Sequence, residues 1–479
     1  MKTLTPVVAA ATAGAAVAVV SAGLLLATGS SLAAALPLAT ADTLSPDPVA
    51  DQSEWTQWRG AARDGVVSAE ARAGEWPERP VLLWEQEVGE GYSGPVIAGD
   101  RVWVHTRRGE AEVVSSLTLG EGRTVWRRRY EVPFQQDPDA RAHGLGPYAT
   151  PAVADGRLFT LGVTSVLSVW DARSGGLLWR RDYAEEFERN HAYFGTASSP
   201  LIWGDLCFVH FGGTWGEESD LGAMVALDVA TGAERWRWDG DAPSVGASPV
   251  LAEISDRLQL VFKSKMNIVG VDPESGAELW RIPYKVSQDN TIVTPLFIGD
   301  QLVTSDWDMG MHSWRIEEEA GTWSARKLWQ TRAASIFTSS PVVVGGEIGR
   351  EIDARDRGQA GGEVSGRDGG QGGGQAGGQI VGFSHFRRGQ LFGMDPVDGE
   401  VLWLGDGRSG EHATLVAWGN ELLVFQEDGS LVVGQVSREG FRPLRTYSLG
   451  RSMMWAHPAV VDNRIIIKDG SRLAVYSFE

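Results

Sequence analysis

A nine-residue phrase recurs along this chain, and it limits the possible folds more than any other feature. It has the form Asp-x-x-Ser/Thr-Gly-x-x-x-Trp, with a second Asp in the Ser/Thr place of the last copy. The clear copies are Asp171, Gly175 and Trp179; Asp228, Gly232 and Trp236; Asp272, Gly276 and Trp280; and Asp395, Gly399 and Trp403. Repeats with fixed internal spacing are typical of solenoids, propellers and arrays, in which each copy is one structural unit.

Each conserved place in the phrase has a physical role in a turn. The Asp carboxylate can accept hydrogen bonds from the backbone just ahead of it. The glycine four residues later tolerates a positive φ, which tight hairpins often need. The tryptophan falls on the following strand, where its large flat face can be buried against a neighbouring sheet. We therefore predict a hairpin at every copy, with its tryptophan packed against another sheet.

Weaker copies keep the same register. The four-residue spacing recurs at Thr118, Gly122 and Trp126, and at residues 436–444 with leucine in the tryptophan place. A stretched copy ends at Trp329, whereas Trp84 has no turn before it.

A second recurrent element is a short strand opened by proline and followed by a hairpin. It begins at Pro95, Pro151, Pro200, Pro249, Pro295, Pro341 and Pro458, and once without proline at residues 413–425. Proline at the start of a strand sacrifices no hydrogen bond of the sheet. Each unit thus supplies four strands, and eight units predict an all-β, eight-bladed β-propeller.

The last unit lacks its fourth strand, because the chain ends at Glu479 after three. We predict that residues 81–84 supply this strand and so close the ring between the two ends of the propeller, residues 81–479. A lead-in segment, 42–80, precedes it. Residues 345–379 are rich in Gly, Gln, Asp and Arg. Their low apolar content predicts a disordered insertion inside blade six.

The N-terminal segment 1–41 is predicted to be a secretory signal peptide. Lys2 precedes an apolar run over residues 7–27, and Ala39-Thr40-Ala41 places small residues before a cleavage point. An uncleaved membrane anchor is the alternative, since the run is long enough to span a bilayer. Only in that case do we expect membrane contact.

Charge and cysteine content exclude several classes of function. The net charge of −19 argues against a nucleic-acid partner, which a basic face would bind. Cys207 is the only cysteine, so no intrachain disulfide forms. The eight histidines show no zinc-binding spacing, and the acids Asp306 and Asp308 are interpreted as an exposed turn. We therefore predict no metal site.

The complete copy from Ala226 to Trp236 resembles the tryptophan-docking repeat of quinoprotein-type propellers. These include pyrroloquinoline quinone (PQQ) alcohol dehydrogenases and the propeller lipoprotein of the BAM complex. Residues 55–65, Trp-Thr-Gln-Trp-Arg-Gly-Ala-Ala-Arg-Asp-Gly, resemble the lead-in of secreted PQQ-like repeat proteins. The dehydrogenases carry adjacent cysteines and calcium ligands that this chain does not match. The resemblance therefore implies the fold, while PQQ is implied by the family alone and no cofactor is expected.

Residues just before the inner strands should ring one end of the central channel. Aromatic and histidine side chains among them, and in the long connections at that end, form the predicted ligand-binding set: Tyr92, Tyr148, His191, Tyr193, His412, Trp455 and His457. Loops on a rigid scaffold are common binding sites. The alternative is that the hydroxyl groups of this ring only satisfy backbone groups of the inner strands.

These features favour a secreted or periplasmic, non-catalytic binding or scaffolding protein. Its partner would be a protein or a small polar ligand of the bacterial cell envelope, bound at the funnel or by strand addition at a blade edge. Two alternatives stay open: a PQQ-dependent, dehydrogenase-like oxidoreductase with a divergent site, and a carbohydrate-binding or carbohydrate-active propeller.

Overall fold

The computed structural model describes residues 54–67, 75–135, 143–183, 186, 195–212, 221–243, 246–285, 292–307, 309–345 and 378–479. All of them lie in one compact unit, Ala50–Glu479. The predicted signal peptide 1–41 lies outside the described residues, as do residues 346–377 of the predicted insertion and two predicted site residues, His191 and Tyr193. Those predictions stay predictions.

The described residues form eight sheets, one for each blade, in which four antiparallel strands follow one another in the sequence except at the ring closure. The sheet of blade seven carries β1 as a fifth strand. Two strands precede the blades: β1 (Val66–Val67) and β2 (Val81–Glu87). Blades one to four are β3 (Val96–Ala98), β4 (Arg101–Arg108), β5 (Ala111–Thr118) and β6 (Thr124–Glu131); β7 (Ala152–Ala154), β8 (Arg157–Leu161), β9 (Val166–Asp171) and β10 (Leu177–Asp182); β11 (Leu201–Trp203), β12 (Leu206–Gly212), β13 (Leu221–Asp228) and β14 (Glu234–Asp241); β15 (Val250–Ile254), β16 (Arg257–Lys263), β17 (Asn267–Val271) and β18 (Glu278–Pro283).

Blades five to eight are β19 (Leu296–Ile298), β20 (Gln301–Asp306), β21 (Gly310–Glu319) and β22 (Thr322–Thr331); β23 (Val342–Val344), β24 (Gln379–Ser384), β25 (Gln390–Met394) and β26 (Val401–Leu404); β27 (Ala413–Trp418), β28 (Glu421–Gln426), β29 (Ser430–Ser437) and β30 (Gly440–Ser448); β31 (Ala459–Val461), β32 (Arg464–Asp469) and β33 (Arg472–Ser477). A short 3-10 turn, Phe386–Arg388, follows β24. The eight-bladed β-propeller is confirmed. No helix in the described ranges is long and apolar enough to cross a bilayer.

The closure of the ring is also confirmed. Strand β2 pairs antiparallel with β33, with Val81 opposite Ser477 and Trp84 opposite Val475. It thereby becomes the outer strand of blade eight. Strands β23 and β24, on either side of the predicted insertion, pair directly, with Val343 opposite Ile380. The predicted span 345–379 included Gln379, which is the first residue of β24, while a disordered insertion between the two strands stays a prediction.

The predicted turn chemistry is present in the repeat. In the first clear copy, Oδ1 of Asp171 accepts hydrogen bonds from the Ser174 amide at 2.7 Å and from its hydroxyl at 2.6 Å. Gly175 has a φ of +70°, and the ring of Trp126 in the preceding blade packs on it so closely that a Cβ there would lie 2.6 Å away. Each such tryptophan therefore joins one blade to the turn of the next.

Trp280 and Trp403 depart from this pattern in their hydrogen bonds. Their indole N–H groups donate to glutamines of their own blades, Gln259 at 2.6 Å and Gln379 at 2.8 Å. The blades that follow them lack the Asp-Gly turn, and Gly321 in the first of these meets no atom that a tryptophan would supply. With no turn carbonyl to receive it, the indole N–H finds a partner within its own sheet.

The hydrophobic core lies between neighbouring blades rather than in one central mass. One cluster joins Phe208 and Trp236 of blade three to Leu260 and Phe262 of blade four. The innermost strands of the blades are buried, and they surround the channel at the centre of the ring.

Candidate functional site at the funnel

The lead-in segment crosses the centre of the propeller. Trp55 forms a bridge with Ile97 of blade one, and the Thr56 carbonyl accepts a hydrogen bond from Val153 of blade two at 2.9 Å. Farther along, β1 pairs in parallel with β27 of blade seven and adds a fifth strand to that sheet. Residues 54–67, which we call the central segment, therefore connect blades on different sides of the ring.

Two buried arginines fix the central segment. Arg59 donates from Nη2 to the carbonyl of Pro341 at 2.7 Å, and Arg63 donates from Nη1 to that of Pro200 at 2.8 Å. Their guanidinium groups flank the Trp58 ring, with Cζ atoms 5.4 and 5.7 Å from its centroid. Burial lowers the pKa of Arg59 to about 10 and that of Arg63 to about 9. Both groups stay charged at neutral pH.

The hydroxyl groups before the inner strands form a relay from blade to blade. In each step, a side-chain hydroxyl oxygen accepts a hydrogen bond from the backbone amide at the equivalent position of the preceding blade. The N···O distances are 3.0 to 3.3 Å. The steps are Gly94 to Thr150, Thr150 to Ser199, Ser199 to Ser248, Ser248 to Thr294, and Thr294 to Ser340. These hydroxyls hold inner-strand backbone groups, as the alternative interpretation predicted.

A cavity of about 910 Å³ opens at this end of the channel. We call it the funnel cavity. The central segment contributes Trp58 and Arg59 to its lining, and the connections before the inner strands contribute most of the rest. Five of the predicted ligand-binding residues line it: Tyr92, Tyr148, His412, Trp455 and His457. The structure brings them together, while their role in binding stays a prediction.

A first aromatic group lines the cavity beside the inner strands of blades seven, eight, one and two. The ring of Trp455 stacks on His412 at 4.6 Å and 8°, and on Tyr92 at 5.7 Å and 21°. Tyr92 in turn contacts Tyr148, with their centroids 5.7 Å apart. Burial lowers the pKa of His412 to about 4 and that of His457 to about 3, so both are neutral at pH 7.

A second aromatic group lies between blades five and six, and the sequence did not predict it. Trp307 stacks on His385 at 4.6 Å and 9°, while Phe337 meets it edge-on at 4.3 Å. The indole of Trp307 is still 37% exposed. Phe337 stands three residues before Ser340 of the relay, which is the one sequence signal that could have placed it in the funnel.

Arginines mark the edge of the cavity. Arg388 and Arg408 line it and are exposed, and both have a left-handed backbone, with φ of 62° and 69°. The two loops that carry them are joined, because the Arg408 amide donates to the Arg387 carbonyl at 3.0 Å. Glu411 also lines this edge. With Arg59, the cavity lining thus carries three guanidinium groups in a chain whose net charge is −19.

These features define a β-propeller of the PQQ-like, quinoprotein type, built from tryptophan-docking repeats. Residues 110–348 match a family model described as outer membrane protein assembly factor BamB. A quinohemoprotein alcohol dehydrogenase, ADH-IIG of Pseudomonas putida, is 24% identical over 274 residues. That match covers 49% of this chain and 37% of the dehydrogenase, so the chain spans little more than a third of this curated relative.

Solved structures show the same architecture. BamB from Moraxella catarrhalis superposes with a TM-score of 0.54 at 15% identity, covering 83% of this chain and all of that one. A europium-containing methanol dehydrogenase superposes with a TM-score of 0.60 at 13% identity, covering 89% of this chain and 98% of the dehydrogenase chain. At these identities the likeness establishes the fold.

The funnel cavity does not fit PQQ held by calcium. The adjacent cysteines expected over the cofactor are impossible, since Cys207 is the one cysteine and is fully buried in β12. Burial also raises the pKa of its thiol. Over the described residues, no group of three His, Cys, Asp or Glu side chains is placed to hold a metal ion.

Proposed function

We propose that this protein is a non-catalytic binding protein of the bacterial cell envelope, and that the funnel cavity is its binding site. One observation carries the proposal. The cavity is lined by two aromatic groups and also holds buried polar atoms, Trp455 Nε1 and Ser339 Oγ, for which the described residues provide no partner. Buried donors without partners are costly, and a bound ligand or water would satisfy them.

The chemistry of the lining supports binding rather than catalysis. His412 and His457 have pKa values far below neutrality, and each already contacts a neighbour, Thr414 Oγ1 at 3.2 Å and the Pro458 carbonyl at 2.9 Å. A general acid or base works best with a pKa near the working pH. Among the described residues of the lining, Glu411 is the one carboxylate, and it is exposed.

The cellular location follows from the same reasoning. The family model that matches residues 110–348 is named for a factor in outer-membrane protein assembly. The segment 1–41 has the composition of a secretory signal. Both observations support a secreted or periplasmic protein. If the ligand is not a small molecule, the alternative occupant of the funnel cavity is a peptide segment of an envelope protein.

Native mass spectrometry of protein purified from the cells that produce it tests the proposal. We expect a bound mass on the wild type that is lost in Trp307→Ala and Trp455→Ala but retained in Leu177→Ala. Leu177 is a matched control, because it is exposed on an outer blade edge away from the funnel.

Two results would contradict the proposal. One is an unchanged bound mass in both funnel variants together with its loss in Leu177→Ala, which would move the site to the blade edge. The other is dye-linked alcohol oxidation after addition of PQQ and calcium, which would favour the dehydrogenase alternative.

A further inference from the structure

We infer that the funnel cavity binds an acidic oligosaccharide, a short chain of sugar rings that carry carboxylate groups. The inference rests on the proposed function and names the class of its ligand. It depends on three features of the cavity: the arginines Arg388 and Arg408 at its edge, the exposed aromatic face of Trp307 and its buried donors.

The charge of the cavity selects an anion. The side chains of Arg388 and Arg408 line the edge, and in the part of the chain that the structure describes neither guanidinium has a hydrogen-bond or ion-pair partner. Arg59 lies deeper, where its Nε also has no partner in that part of the chain. Guanidinium groups recognise carboxylates through paired, charge-assisted hydrogen bonds.

The backbone holds the two edge arginines in an unusual conformation. Residues with a Cβ rarely adopt the left-handed region, in which Arg388 and Arg408 both lie. The two loops are tied by hydrogen bonds from Arg408 N to Arg387 O and from Ser409 N to Gly389 O, each 3.0 Å. Strained residues that are held in this way are concentrated at functional sites.

The aromatic faces select a ring. Stacking on His385 and edge-on contact with Phe337 fix the indole of Trp307, yet more than a third of it stays exposed. Trp455 adds a second indole to the cavity lining, but His412 and Tyr92 both stack on it, so Trp307 is the indole with the exposed face. A sugar ring presents C–H groups on its face, which pack on the negative face of an aromatic ring, and hydroxyl groups around its edge.

The buried donors and the size of the cavity favour a sugar over a flat aromatic anion. The N–H groups of Trp455 and Arg59 and the hydroxyl of Ser339 have no partner among the described residues, and the oxygen atoms of a hydroxyl-rich chain can accept from them. The volume of about 910 Å³ is near the upper end of the small-molecule range, roughly 300–1,000 Å³. More than one sugar ring can therefore be accommodated.

Isothermal titration calorimetry of the whole protein with galacturonic acid trisaccharide tests the inference. Neutral galactotriose is the matched control ligand, and PQQ is the third ligand to be titrated. We expect the acidic trisaccharide to bind roughly tenfold or more tightly than the neutral one, because the difference is one or more charge-assisted hydrogen bonds. The double variant Arg388→Gln, Arg408→Gln should lose most of this preference while retaining the weak binding of galactotriose.

Arg387→Gln is the matched control, since Arg387 is exposed in the same turn but does not line the cavity. It should bind like the wild type. Trp307→Ala should weaken both trisaccharides about tenfold, the loss of one stacking contact. Melting temperatures within a few degrees of the wild type confirm that each variant is folded. The double variant Arg388→Lys, Arg408→Lys keeps both charges and should retain part of the preference for the acidic trisaccharide.

Equal affinity for the two trisaccharides, binding of neither, or tighter binding of PQQ that depends on Arg388 and Arg408 would overturn the inference. The proposed function is judged separately. If neither sugar binds while the native bound mass persists and still depends on Trp307, the funnel is a binding site and only the ligand class is wrong.

Discussion

The indole of Trp84 packs directly on Gly122, so a residue of the strand that completes blade eight is docked on a turn of blade one. The Trp84 N–H donates to the Leu119 carbonyl at 2.7 Å in the same turn. Ring closure thus uses the same contact as the joints made by Trp126, Trp179, Trp236 and Trp329, in addition to the pairing of β2 with β33.

Gly122→Ala should destabilise the propeller by about 2–5 kcal/mol. A Cβ at this place would lie 2.5 Å from the Trp84 ring, and the φ of +69° is unfavourable for alanine. The estimate adds backbone strain of roughly 1–2 kcal/mol to overpacking of roughly 1–3 kcal/mol. Urea unfolding measures it. Gly99→Ala is the control, with a φ of +54° and no atom within 4 Å of its Cβ, and it should show the strain alone.

Arg63→Met should loosen the central segment. The change removes hydrogen bonds from a buried guanidinium to the carbonyls of Ser199 and Pro200, at 3.2 and 2.8 Å. We expect a loss of about 3–6 kcal/mol, since two hydrogen bonds are removed and hydrogen bonds to charged groups are worth roughly 1.5–3 kcal/mol each. Hydrogen exchange at residues 54–67 should rise in parallel.

Arg235→Met provides the comparison for this variant. Arg235 is half exposed and pairs with Asp205 and Asp228 on the surface. Surface pairs contribute roughly 0–1 kcal/mol, so its loss should be small and should leave the exchange of the central segment unchanged. Equal effects of the two substitutions would mean that Arg63 does not anchor the segment.

Gln259→Leu should cost about 1–3 kcal/mol, because the buried indole N–H of Trp280 loses the acceptor that it contacts at 2.6 Å. Trp280→Phe removes that N–H, so the double variant should be more stable than the sum of the two single effects predicts. Chemical denaturation of the four proteins gives the coupling energy. Additive effects would show that the hydrogen bond contributes nothing to stability.

His210 should make the protein less stable at mildly acidic pH. Burial lowers its pKa to about 4, against the opposing effect of the Asp241 carbonyl, which accepts from its Nε2 at 3.0 Å. Between pH 6.5 and pH 4 the unfolded chain binds a proton at this histidine that the folded chain does not. Its contribution is therefore complete above pH 6.5 and is lost as pH falls towards 4.

Denaturation at pH 7 and at pH 5 checks this assignment. One such histidine contributes at most about 1.4 kcal/mol per pH unit to the slope of the unfolding free energy. His210→Gln should make the slope shallower by up to that amount, with its main cost visible at neutral pH. An unchanged slope would show that the pKa of His210 is not lowered in the folded protein.

The sequence predicted the ring, its closure and the position of the funnel because these follow from local repeats. Trp84 lies in a strand that has no repeat turn before it, and the last unit of the repeat lacked its fourth strand. Tyr92 and Trp455 were placed correctly because residues before inner strands must face one end of a propeller. Each of these predictions needs only the spacing within a unit.

The central segment and the second aromatic group could not be predicted in the same way. The partner of Arg59, the Pro341 carbonyl, lies 282 residues away, and no spacing within a repeat encodes that contact. Trp307 and His385 stack across two blades from places that do not repeat. The sequence does contain a signal for the different hydrogen bond of Trp280, because the turn that would accept its N–H is missing from the next unit.

The threaded position of residues 54–67 has a consequence for biosynthesis. Strands β1 and β2 are made before all eight blades, but their partners β27 and β33 belong to the last two blades to be made. Contacts between such distant parts of a chain form slowly. The earlier blades are therefore made as an incomplete arc with an open centre, and access to chaperones during that interval should matter more for this protein than for one whose early segments fold locally.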